Sequence, residues 1–75
     1  MDPTTLQVRF GLTPTEARLA LRLATGASLR TAAAQLNIRY GTARSHLKKV
    51  FEKTATSRQT ELVVTILRGT VHAPE

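Results

Sequence analysis

The sequence contains no cysteine, so neither a disulfide framework nor a cysteine-based zinc site can staple the chain. Aromatic residues are few, namely Phe10, Tyr40 and Phe51. Alanine and leucine are common, and that balance favours close-packed helices over a β-sandwich. No apolar run approaches the roughly 18 residues of a membrane span. Residues 1–7 also lack the basic-then-apolar pattern of a signal peptide. The expectation is a cytoplasmic protein, or a fragment of one, with no membrane partner. Catalytic patterns are missing too: there is no Ser–His–Asp order, no paired carboxylates and no phosphate-binding glycine loop. The two histidines, His46 and His72, have no carboxylate–cysteine cluster around them. His46 is expected to be a structural histidine, hydrogen-bonded beneath a helix. No enzyme, cofactor or metal is expected.

Acidic residues are scarce. Five Asp and Glu stand against eleven Lys and Arg, a formal charge of +6. That imbalance points to a polyanionic partner, nucleic acid ahead of a membrane surface. At 75 residues the chain is one domain, near the lower size at which a single core suffices.

Residues 1–11 form a polar stretch without a strong pattern, expected to be a leader or linker remnant. Leu12-Thr13-Pro14-Thr15-Glu16 then starts a helix. Thr13 can cap it, Pro14 suits the first helical position, and Glu16 sits where a capping box needs it. Ala17, Ala20, Leu21 and Ala24 line one face, Leu19 and Leu23 widen it, and Arg18 and Arg22 stay outside. Gly26 ends this first expected helix. Ser28 caps a short second one with Leu29, Ala32, Ala33 and Leu36 inward. Asn37-Ile38 breaks the pattern, asparagine being one of the few residues that tolerate the left-handed conformation of a tight turn.

A third helix begins around residues 40–42 and runs to about residue 53. On it Ala43, His46, Leu47, Val50, Phe51 and Thr54 fall on one face at spacings of three and four. Arg44, Ser45, Lys48 and Lys49 fall on the other. Two helices joined by a turn of about three or four residues make a helix-turn-helix, whose second helix can enter a DNA major groove. After a break at Thr54-Ala55-Thr56, Ser57 caps a fourth helix running to about residue 68, which Gly69 ends. Residues 61–67 are rich in β-branched side chains, but a lone strand would have no partner, so a helix is expected. Residues 69–75 are expected to be a flexible tail.

Read in order, these pieces resemble the LuxR-type (GerE-like) helix-turn-helix domain of bacterial transcriptional regulators. The likeness rests on Leu12-Thr13-Pro14-Thr15-Glu16, on Gly26-Ala27-Ser28, on Gly41-Thr42-Ala43-Arg44-Ser45-His46-Leu47 and on Arg58-Gln59-Thr60-Glu61-Leu62. It covers roughly Leu12 to Leu67, most of the chain. Ala32 stands where the family often has isoleucine, and Arg39 where it usually has a serine or threonine. The sigma-factor region that reads promoters shares the first three helices but lacks the connector and the fourth. The resemblance implies an all-α, four-helix domain at residues 12–68, with the third helix reading DNA and the fourth pairing subunits. Such modules usually follow a receiver or ligand-binding domain, and the short leader fits a module taken from a longer regulator.

Base reading needs side chains near the start of the recognition helix on its solvent face. Arg44, Ser45 and Lys48 meet both conditions, and the resemblance places family base contacts there. Phosphate contacts are expected from Arg30, Arg39, Tyr40, Thr42 and Lys49, and from the amino end of the second helix at Ser28 and Leu29. On the last helix Leu62, Val63 and Ile66 share one face while Val64 and Leu67 point nearly opposite. A small domain cannot bury both, so a partner surface is expected. The resemblance makes this a homodimer with Thr60, Val64 and Leu67 near the two-fold axis. The expected function is sequence-specific binding of double-stranded DNA in transcription control, with RNA polymerase as a further contact. The competing reading is a small helical interaction module that docks on a polymerase subunit or a regulator through its last helix.

Overall fold

The structure, a computed structural model, describes residues 2–70. It is all-helical, with no strand among the described residues, and contains α1 (Pro3–Phe10), α2 (Pro14–Ala24), α3 (Leu29–Gln35), α4 (Tyr40–Thr54) and α5 (Gln59–Thr70). None of these helices is long and apolar enough to cross a membrane.

The sequence predicts four helices preceded by a patternless leader at residues 1–11. Residues 3–10 instead form α1. Asp2 caps it by accepting the Thr4 N–H at 3.0 Å, Pro3 occupies its first turn, and Gly11 ends it at a left-handed φ of 68°. Its amphipathicity is weak because one side chain does most of the anchoring: Leu6 is fully buried. Phe10 packs against the same core from its edge.

The signals at the start of α2 act as the sequence indicates. Thr13 Oγ1 accepts the Glu16 N–H at 3.1 Å, and Glu16 Oε1 accepts the Thr13 N–H at 2.9 Å, closing a capping box. This helix is the centre of the domain and packs against each of the other four. Leu19, Ala20 and Leu23 join Leu6, Val50, Leu62 and Ile66 in the core. Leu21, expected on the inner face, is only half-buried. At the far end, Gly26 at φ 99° takes the left-handed position, its N–H donating to the Leu23 carbonyl and the Ala27 N–H to the Arg22 carbonyl. Those two bonds form a Schellman closure.

The β-branched stretch near the C-terminus is helical, within α5. The expected stop at Gly69 is not one. Gly69 is buried inside α5, and a Cβ built there would stand 2.8 Å from Phe10 Cζ. The missing side chain makes room for α1 to cross, so its role is close approach rather than termination. The expected leader and Gly69, the first residue of the expected tail, therefore meet in one contact. Residues 71–75 of that tail, His72 among them, lie outside the described residues.

Candidate nucleic-acid interface

Helices α3 and α4 pack against each other and against α2. The turn between them is set by Asn37, which sits at φ 58°. Its N–H donates to the Ala34 carbonyl at 3.1 Å and the Ile38 N–H to the Ala33 carbonyl at 3.0 Å, the same closure that ends α2. Ala32 and Ala33 are buried on α3 and Ala43 on α4. Residues this small let two helix backbones approach, so a seven-residue helix suffices to brace α4.

Along α4, Ala43, Val50 and Thr54 are buried, and His46, Leu47 and Phe51 are half-buried. Arg44, Ser45, Lys48 and Lys49 are all exposed on the other side. Gly41, Arg44, Ser45 and Lys48 line a shallow depression on this face. The Ser45 hydroxyl donates to the Gly41 carbonyl one turn back, at 3.3 Å. The first turn of α4 has no side-chain cap, because Arg39 stands at the N-cap and makes no capping bond.

The residues expected at phosphates do not all have the same freedom. Arg39, Thr42 and Lys49 are exposed. Arg30 and Tyr40 meet, the guanidinium carbon lying 4.3 Å from the ring centroid in a cation–π contact. This stacking joins α3 to the first residue of α4 at the rim of the exposed face. Ser28 is already engaged: its Oγ accepts the Thr31 N–H at 3.1 Å and donates to Thr31 Oγ1 at 3.0 Å. Leu29 turns its side chain toward the core.

Charge reinforces this geometry. Between Glu16 and Glu52 the sequence has no acidic residue, while it holds Arg18, Arg22, Arg30, Arg39, Arg44, Lys48 and Lys49. Lys53 continues this run of cations but is committed elsewhere. Its Nζ donates to Glu16 Oε1 at 2.7 Å. Glu16 is 2% exposed. Burial by itself would raise its carboxyl, but the Lys53 ammonium and the Thr13 N–H outweigh that and hold it below the usual carboxylate range. Local sequence implies only the capping role of Glu16, whereas its link to α4 joins residues 37 positions apart. Glu52 lies exposed one turn past Lys48.

His46 is half-buried on the packed side of α4, and no group of three metal-ligating side chains occurs among the described residues. On α5, Leu62 and Ile66 are fully buried, whereas Val64 is 48% and Leu67 40% exposed. Thr60 is exposed beside them. Thr60, Val63 and Val64 face Leu23, Ala24, Gly26 and Ala27 across an open groove. The exposed cationic face of α4 and this second apolar face thus lie on different helices. No family model matches the chain, and neither a curated protein nor a solved structure matches it.

Proposed function

We propose that this chain is a sequence-specific double-stranded DNA-binding domain of the LuxR type, acting in bacterial transcription control. The observation that carries the reading is the division of α4. Its buried side is locked on α2 and α3, and its outer side offers Arg44, Ser45, Lys48 and Lys49 to solvent with no acidic residue among them. A braced helix with an exposed donor face near its start is the arrangement that major-groove readout requires. In this reading Arg44, Ser45 and Lys48 meet base edges. Arg30, Arg39, Tyr40, Thr42 and Lys49 hold the flanking phosphates, with α3 at Ser28 and Leu29 entering only through its backbone.

The exposed Val64 and Leu67 support a homodimer through α5, with two copies of α4 in successive major grooves about 10 base pairs apart. The same exposure supports the second reading, a module that docks on RNA polymerase or a regulator through α5. Selection of bound duplexes from a random pool at about 150 mM salt separates the two. Enrichment of a palindromic sequence is the expected result. A pool that stays random rejects sequence-specific binding and leaves the docking module.

A further inference from the structure

Gly41, Arg44, Ser45 and Lys48 stand at successive spacings of three, one and three along α4, which places them on one stripe of the helix. They line the shallow depression on its exposed face. The chemistry along the stripe is uneven. Arg44 and Lys48 can only donate. The Ser45 hydroxyl donates to the Gly41 carbonyl at 3.3 Å, a contact that leaves its lone pairs available outward. Between Tyr40 and Phe51 there is no Asn, Gln, Asp or Glu. The stripe therefore holds nothing that could pair with adenine N6 and N7 together, or accept from cytosine N4 with a carboxylate.

Gly41 has no internal reason to be glycine. Its φ is not positive, and a Cβ built on it meets nothing within 4 Å. Gly41 is the second residue of α4, where alanine is tolerated at least as well as glycine. Gly41 lines the depression, so the absent Cβ leaves that surface open to close approach from outside the chain.

Resting on the DNA-reading function above, we propose that this depression reads guanine. Arg44 and Lys48 each take a guanine O6/N7 edge, and Ser45 accepts from the exocyclic amine of a base between them. Bare Gly41 lets the duplex seat. Arg44 and Lys48 lie about 6 Å apart along α4, and a helix laid in the groove is inclined to the duplex axis, so the two guanines lie within about two base-pair steps of each other.

The test uses the full chain and the duplexes it selects from a random pool. Recovered sites should carry two guanines within about two base-pair steps of each other. Replacing either with 7-deazaguanine, which lacks the N7 acceptor, should weaken binding about tenfold. Gly41→Ala should keep or raise the thermal midpoint and yet lose about tenfold in affinity for the selected site, with binding to random duplex unchanged. Enriched sites without such guanines overturn the proposal while the DNA-reading function stands. A pool that stays random overturns both. Full affinity of Gly41→Ala, or an equal loss on random duplex, overturns the seating role of Gly41.

Discussion

Lys53 Nζ and Glu16 Oε1 lie 2.7 Å apart, and the same carboxylate oxygen also accepts the Thr13 N–H at 2.9 Å. One buried atom thus closes the start of α2 and ties down the end of α4. The two bonds make different demands. The capping box needs only local sequence, whereas the ion pair needs α4 already docked. Glu16 is therefore a point at which the angle of the exposed helix is fixed by the scaffold beneath it.

Removing the lysine leaves a nearly buried carboxylate with only its capping partner. Lys53→Met is expected to destabilise the fold by about 2 kcal/mol, less than the loss for a fully buried pair because the ammonium is partly solvated. The pH dependence follows from the lowered Glu16 carboxyl. A carboxyl whose folded value lies below its unfolded one contributes stability above the unfolded value. That contribution is lost as pH falls from about 4.5 through the lower folded value. Urea midpoints measured from pH 7 to pH 3 should drop across this window, and Glu16→Gln should flatten the drop. Glu61, lowered by the Ser57 N–H and hydroxyl, contributes in the same direction from the surface. An unchanged acid limb in Glu16→Gln would remove Glu16 from the explanation.

Gly69 makes a prediction about the contact between the two ends of the chain. An added methyl would stand 2.8 Å from Phe10 Cζ and 3.3 Å from Arg9 Cδ. Overpacking of this kind costs about 1–3 kcal/mol, against about 1 kcal/mol gained from helix propensity. Gly69→Ala is expected to lower the thermal midpoint, and to become neutral or stabilising once Phe10 is shortened to leucine. If the single variant is as stable as wild type, α1 does not depend on this close approach.

Ala55 follows α4 in the left-handed region, at φ 56°. The Thr56 N–H reaches the Phe51 carbonyl at 3.0 Å, so the turn is well formed, but an L-residue with a Cβ is strained in it by about 1–2 kcal/mol. Glycine has no such penalty, although it loses more freedom on folding. Ala55→Gly should stabilise the domain by about 1 kcal/mol in urea unfolding. A loss of stability would mean that the unfolded-chain entropy of glycine outweighs the relief.

The legible parts of this fold were those set by neighbouring residues. Thr13, Pro14 and Glu16 announce α2, Asn37 announces a left-handed turn, and the spacing of Ala43 and Val50 separates the two faces of α4. The parts that escaped depend on distant chain. Leu6 gives too little periodicity to reveal α1, because a single buried leucine anchors it. Gly69 reads as a helix stop until Phe10 is seen across from it. Lys53 looks like another surface cation until Glu16 is placed beneath it. Ser28 shows the limit for the candidate interface: sequence assigned it two roles, and its capping bonds with Thr31 already engage the hydroxyl in one.

Arg30 and Tyr40 bear on how the proposed phosphate contacts divide. A guanidinium stacked 4.3 Å from a ring centroid keeps its edge N–H groups free to donate while its face is held. Each neutralised phosphate contributes roughly 0.9 to the slope of log affinity against log salt. Arg30→Ala and Lys49→Ala should each lower that slope by about one, with sequence preference intact. Tyr40→Leu should reproduce part of the Arg30→Ala loss by releasing the guanidinium. A changed base preference in Arg30→Ala would place this side chain at a base instead of a phosphate.

Val64 decides between pairing and monomeric binding. At 48% exposure it lies on the side of α5 away from Leu62 and Ile66, so a carboxylate there leaves the core intact. A two-fold contact at Thr60, Val64 and Leu67 would bring two such carboxylates together near the axis, where like charges repel. Equilibrium sedimentation of wild type and Val64→Glu at matched concentrations should show a dimer and a monomer respectively. On a palindromic duplex the variant should bind its half-sites independently, with unchanged salt slope per half-site. Two identical monomers, with equal cooperativity on DNA, would take α5 out of the assembly and leave α4 to bind as a single reading head.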